Sequence, residues 1–329
     1  MKTLIVNQWG KNSSIRKLIH QIRSEELTDI VYFGYNEYEI EEGSPSDLAE
    51  FERLLHTRNI RFHYIIGAFH DYKFYKNSVR IPKVNTTIYS HEYYWIYDTY
   101  YNTRKQSPEM FKKYVDNGFT PLKVDKLFIS LNNNAHHHRV YLMDELSKEG
   151  LLPLGNVSWL NRGGWTDLPF KHWKEEKLVL DQSFADNFNS YVHTPEQYFT
   201  SAINVISEST EDIVFLTEKT FLAILMGKPF IIQGPQGIHQ ALKMTGIKLY
   251  EDVFDYSFDN YSDIHDRTAA VVQNIKKVAD RDPQDLYNDC VEIARYNQKR
   301  LLEIIENKEY IPPVVNYFES LPDSDVIRP

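Results

Sequence analysis

Residues Ile206 to Gly234 read ISESTEDIVFLTEKTFLAILMGKPFIIQG. The short β-branched run just before them, Ala202 to Ile206, has the character of a buried parallel strand, and Ser207-Glu208-Ser209 falls at its carboxyl end. Glu208 is therefore expected at the rim where ligands bind. A helix is predicted from Thr217, an N-cap residue type, with Phe221, Leu222, Ile224 and Leu225 at helical spacing until Gly227 stops it. Pro229 follows, and Phe230-Ile231-Ile232 makes the next strand. Glu218 and Lys219 consequently sit in a first helical turn at the edge of a parallel sheet, where backbone N–H groups and the helix dipole favour an anion. Lysine in that turn matches phosphate, and the carboxylate can either accept hydrogen bonds from ribose hydroxyls or complement the dipole.

The rest of the chain repeats this grammar. Thr3 to Asn7, Asp29 to Gly34, Arg61 to Gly67 and Thr86 to Ser90 are predicted strands, separated by amphipathic helices over Ser13 to Arg23 and Ser46 to His56, the latter capped by Ser46-Asp47. Alternation of this kind specifies an α/β chain with parallel sheets covered on both faces. Gly118-Phe119-Thr120-Pro121 punctuates the middle and places a domain boundary near Leu122. The expected domains are 1–122, 123–306 and an irregular tail over 307–329, which carries Pro312-Pro313 and Pro322.

The second half opens with a strand over Lys126 to Leu131, a polar loop Asn132-Asn133-Asn134-Ala135-His136-His137-His138-Arg139, and a helix ending near Lys148. Asn132 and Arg139 thus reach the same sheet edge as Ser209, Thr217, Glu218 and Lys219, and guanidinium suits phosphate through its bidentate fork. Three consecutive histidines cannot all point at one ion, and no Asp or Glu lies in their loop, so polar or phosphate contacts are expected there rather than a metal. In the first half, His91 and Glu92 follow directly on a strand, at the carboxyl edge of its sheet. The Gly- and Trp-rich stretch Asn156 to His172 shows little periodicity and is read as a loop contacting base or sugar.

Glu208, Thr217-Glu218-Lys219, Ala223, Gly227 and Pro229 together resemble the nucleotide-sugar motif of the α-1,3-fucosyltransferase type of glycosyltransferase, and more loosely that of exostosin-like enzymes. Arg139, after a strand and an Asn-containing loop, resembles the arginine that contacts the donor diphosphate in that family. The motif covers about a tenth of the chain, and Asn132-Asn133-Asn134 and Ser207-Glu208-Ser209 depart from the family's S-N-C and E-N-S sequences. The resemblance implies two Rossmann-like domains facing across a cleft (GT-B type), with the terminal helix crossing back to the first. It implies a nucleotide-sugar donor, GDP-linked by preference, no cofactor or metal, and Arg139, Glu208, Thr217, Glu218, Lys219, Asn132 and Ser209 as donor-binding residues. Inverting transfer would then need a base, for which Glu92 is the first candidate and His91 the second.

Composition narrows the alternatives. At 329 residues and 42% hydrophobic content the chain can build two cores. No apolar run reaches membrane-spanning length, and Leu4-Ile5-Val6 is too short for a signal-peptide core, so a cytoplasmic protein without an anchor is expected. The single cysteine, Cys290, excludes an internal disulfide and reads as a core residue. A net charge of −9 argues against a general nucleic-acid binder. Up to Lys126 there are 18 basic against 16 acidic side chains, and beyond it 19 against 30. A mildly basic first part and the aromatic density between Phe62 and Tyr101 leave open a glycan, a small molecule or modified DNA as acceptor, and a DNA-base glycosyltransferase as an alternative. A non-catalytic binding protein on the same fold is the alternative of a different class.

Overall fold

The computed structural model describes residues 2–7, 14–34, 44–66, 82–90, 94–161, 168–187, 194–212, 214–310, 317 and 320–327. The chain divides into two compact units, Met1–Tyr94 with Lys308–Pro329, and Trp95–Asn307. Each is built on its own parallel sheet.

In unit 1, β1 (Lys2–Asn7), β2 (Leu27–Gly34), β3 (Arg61–Ile66) and β4 (Thr86–Ser90) lie side by side in that order. Helix α1 (Ile15–Ser24) buries the Ile15, Leu18, Ile19 and Ile22 stripe and starts at Ser14, whose hydroxyl accepts from the Lys17 N–H. Helix α2 (Pro45–Thr57) buries Phe51, Leu54 and Leu55. Its cap is Ser44 rather than Ser46, because a reciprocal capping box forms between Ser44 and Asp47 with Pro45 at the first helical position. Phe62 and Tyr64, from the aromatic-rich stretch, are core: Tyr64 stacks on Tyr32 at 5.5 Å and Phe51 meets Phe62 edge-on at 5.4 Å.

Part of the tail is regular where an irregular segment was expected. Val326–Ile327 pairs in parallel with β1, Thr3 opposite Val326 and Leu4 opposite Ile327.

A polar group is buried on this sheet. Asp29 accepts from Arg61 at 2.8 Å and from His63 Nε2 at 3.0 Å, and since Nε2 donates, His63 Nδ1 accepts from the Tyr89 hydroxyl at 3.2 Å. Burial alone would raise the Asp29 carboxyl, but its hydrogen bonds to His63 and Arg61 outweigh that and hold it down to about 2. A carboxyl depressed in the fold stabilises it above the unfolded value of about 3.9, and that stability drains away as pH falls toward 2. Asp29→Asn should therefore cost about 2–3 kcal/mol near neutral pH and flatten the acid limb of the stability curve, measured by urea unfolding at stepped pH.

Unit 2 carries β5 (Lys126–Asn132), β6 (Gly155–Trp159), β7 (Ser201–Ser207) and β8 (Phe230–Gln233), in the order β6-β5-β7-β8. Its longer helices are α3 (Tyr94–Gln106), α4 (His137–Lys148), α5 (Glu218–Leu225), α6 (Ile238–Met244), α7 (Ile264–Lys277) and α8 (Pro283–Glu306). Among the described residues no helix is long and apolar enough to cross a membrane.

The division falls near residue 94 rather than near Leu122. Gly118, at φ 80°, makes a turn inside unit 2, and the residues around it are tied down there. Tyr114 stacks face to face on Phe199 at 4.3 Å, its carbonyl accepts from Gln298 at 2.8 Å, and the Leu122 N–H donates to the Tyr287 hydroxyl at 3.1 Å. Helix α8 packs along its length against α5, β7 and β5, so it belongs to unit 2, and only the chain from Lys308 returns to unit 1.

Candidate functional site

The site lies where β5 and β7 end. β7 is buried throughout, as a central parallel strand must be. Its last side chain, Ser207, donates to Gln233 Oε1 at 2.7 Å on β8, which fixes the neighbouring strand ends together.

Glu208 comes next and is fully buried, not at the rim. Its Oε1 accepts from the Thr217 N–H at 3.2 Å and the Thr220 hydroxyl at 2.6 Å, and its Oε2 accepts from the Thr217 hydroxyl at 2.5 Å. The carboxylate expected to meet a ribose is therefore an internal anion that closes the N-terminus of α5. Thr217 is the N-cap as predicted, accepting from the Lys219 N–H, and Gly227 ends the helix at φ 64°.

Lys219 turns outward from this frame, half-buried. Its ammonium stands 3.0 Å from the hydroxyls of Ser209 and Thr217, 3.1 Å from Glu218 and 3.9 Å from Glu208. Burial opposes ionisation of Glu218, but Lys219 beside it prevails and holds its carboxyl below the usual range.

Arg139, in the first turn of α4, is 4% exposed. It donates to the carbonyls of Asn134 and Glu208 at 3.3 Å and of Ser207 at 3.5 Å, while its Nε has no partner. Among the described residues no carboxylate comes within 4.0 Å of it. Burial draws its pKa down to about 10, against the pull of Glu208 and Glu218.

Two other buried cations show what a satisfied one looks like. Lys228 donates to the carbonyls of Tyr198 and Ser201, and Arg267 to those of Gly234, Tyr261 and Ser262 at 3.1, 2.7 and 2.9 Å. Neither keeps a buried donor without a partner. Arg139 is held by long contacts and keeps one.

Arg139, Lys219, Glu218, Ser207 and Asn133 share a cavity of about 90 Å³, floored by Tyr198. At about 10–15 Å³ per water that volume takes several waters, room for a phosphate group but small for a whole nucleotide. Asn132 does not reach it. As the last residue of β5 it projects toward α4, where its side chain donates to Ser130 at 3.1 Å and to Met143 Sδ at 3.8 Å, and the next residue, Asn133, lines the cavity instead; the Oδ1 of each is unpartnered. Two larger cavities in the same unit, of about 770 Å³ beside His239 and about 960 Å³ beside Tyr114 and Phe199, have no such cation. His239 is saturated, donating to Asp259 at 2.9 Å and accepting from the Ile232 N–H at 3.2 Å.

The three histidines take separate roles. His137 is exposed, His136 stacks on His138 with ring centres 5.6 Å apart, and His138 is 2% exposed with Nε2 2.8 Å from the Glu208 carbonyl oxygen. Its Nδ1 is 3.5 Å from Glu211, a residue the sequence reading passed over. Among the described residues no group of three or more His, Cys, Asp or Glu side chains is placed to hold a metal ion. His91 and Glu92 lie outside the described residues, as do residues 162–167 of the Gly- and Trp-rich stretch. No protein-family model matches this chain, and no curated protein matches it either.

Proposed function

We propose that unit 2 binds the diphosphate of a nucleotide-sugar donor and that the chain is a glycosyltransferase of the two-domain GT-B kind, transferring the sugar to an acceptor hydroxyl. The observation that carries this reading is the buried Arg139 guanidinium, which has no carboxylate partner and an unpartnered Nε, and shares a phosphate-sized cavity with Lys219. A buried cation left uncompensated costs stability, so a site that retains one is matched to an anion that arrives from outside.

In this reading Arg139 and Lys219 hold the diphosphate in the ground state and stabilise the charge that grows on it as the glycosidic bond breaks. Glu218, half-buried at the cavity edge, accepts from ribose hydroxyls once Lys219 has turned from it to phosphate. Ser209 and Asn133 complete the polar wall. Glu208 acts from behind, fixing Thr217 and through it the direction of Lys219. The acceptor base remains assigned to Glu92, then His91, from the sequence.

A thermal-shift screen against GDP-, UDP-, CMP- and dTDP-sugars tests the donor class. At about a hundred times Kd a ligand adds roughly 2.7 kcal/mol, which raises Tm by about 5–10 °C in a domain of this size. GDP-sugars are expected to give the largest shift. A folded protein whose Tm responds to none of the four, nor to their free nucleoside diphosphates, would overturn the reading.

A further inference from the structure

His138 shares an acceptor with the anion-binding arginine. Its Nε2 and Arg139 Nη2 both meet the Glu208 carbonyl oxygen, at 2.8 and 3.3 Å. A carbonyl oxygen can only accept, so Nε2 carries a proton, and the neutral imidazole then presents a bare lone pair at Nδ1. That lone pair faces a carboxylate: Glu211 Oε2 stands 3.5 Å away, buried, with no hydrogen-bond partner. Two acceptors face each other across a gap that one added proton would turn into a charge-assisted hydrogen bond.

We propose that His138 and Glu211 form a proton-linked positioning pair for the anion site: binding of a diphosphate at Arg139 draws one proton from solvent onto His138 Nδ1, and the resulting imidazolium clamps Glu211 and the Glu208 carbonyl. The inference rests on the diphosphate reading of Arg139.

The charges around the pair set the direction. Arg139 and His136 act on His138, with Lys219 beyond them acting on His136, while His137, Arg267 and Tyr141 interact with Glu211. In the empty site burial and Arg139 disfavour the imidazolium more than Glu211 favours it, so the pKa of His138 is lowered. Burial, Arg139, His138 and Lys219 likewise hold His136 at about 4. An anion on Arg139 cancels its repulsion of His138, so the imidazole binds its proton more tightly in the complex than in the free chain. Linkage then makes diphosphate affinity rise as pH falls through the His138 pKa of the complex. The clamp also serves the geometry. When Arg139 leaves the Ser207 and Glu208 carbonyls for phosphate, His138 still holds the Glu208 carbonyl.

Calorimetric titration with inorganic pyrophosphate and with GDP tests this, in buffers of different ionisation enthalpy at several values between about pH 5.5 and 7.5. The titrated proteins are the wild-type chain, His138→Gln and Glu211→Gln. Ligand ionisation is common to all three, so differences between them isolate the pair. Wild type is expected to take up more protons on binding than either variant, and its affinity to gain on that of His138→Gln by up to about tenfold per pH unit of acidification, the limit for one proton. Equal proton uptake with a pH-independent affinity ratio, in whichever variant folds, would overturn the inference and leave the diphosphate reading standing. Failure of the wild-type chain to bind either ligand would overturn both.

Discussion

Glu208→Ala is expected to destabilise unit 2 by about 3–5 kcal/mol, the range for removing one member of a buried charged network. The carboxylate is fully buried and accepts three hydrogen bonds, from the Thr217 N–H and the Thr217 and Thr220 hydroxyls. Alanine strands all three donors. The two hydroxyls can rotate toward other acceptors, but the backbone N–H of Thr217 is fixed by the helix it begins, and an unmet buried donor costs about 1–3 kcal/mol. The loss also removes the negative charge that acts most strongly on Arg139 and leaves Lys219, among the described residues, with Glu218 alone as a carboxylate within 4 Å. Glu208→Gln keeps the volume and one acceptor and should cost distinctly less. Urea unfolding of the three proteins measures the effect, and a loss below about 1 kcal/mol for alanine would show that Glu208 does not organise the start of α5.

The alternation of apolar runs and polar punctuation is a local property, and it was enough to lay out β1 to β5, β7 and β8; β6 lies at the start of the Asn156 to His172 stretch read as a loop, because only its pairing with β5 makes those residues a strand. Thr217 and Gly227 mark the ends of α5 because capping and left-handed termination depend on one or two residues each. What stayed hidden depends on contacts between distant segments. Nothing near Glu208 in sequence announces that Thr217 and Thr220 will fold over it, so a polar residue after a strand read as a rim residue. Asn132 is the last residue of β5 and Asn133 the first beyond it, and which of them lines the cavity turns on where the strand ends. Gly118 to Pro121 has the composition of a linker, and only the stacking of Tyr114 on Phe199 and the hold of Gln298 and Tyr287 make it an internal turn. His138 and Glu211 meet through the β7 end, which the periodicity of neither segment contains.

Arg139→Met should separate stability from binding. The guanidinium makes only long contacts to carbonyls, so its desolvation is poorly repaid, and an apolar side chain of similar length is expected to leave stability within about 1 kcal/mol of wild type or to raise it. The same change removes the fork that would grip a diphosphate. Charge-assisted hydrogen bonds are worth about 1.5–3 kcal/mol each, and a loss of about 3 kcal/mol weakens binding roughly a hundredfold. Lys219, already engaged with Ser209, Thr217 and Glu218, cannot replace a bidentate partner. Calorimetric titration of GDP into wild type and Arg139→Met, with melting curves of both, is the direct measurement. The predicted result is tight binding by wild type and a roughly hundredfold weaker complex for a variant that melts no lower; equal affinity in the two folded proteins would contradict a diphosphate site at Arg139.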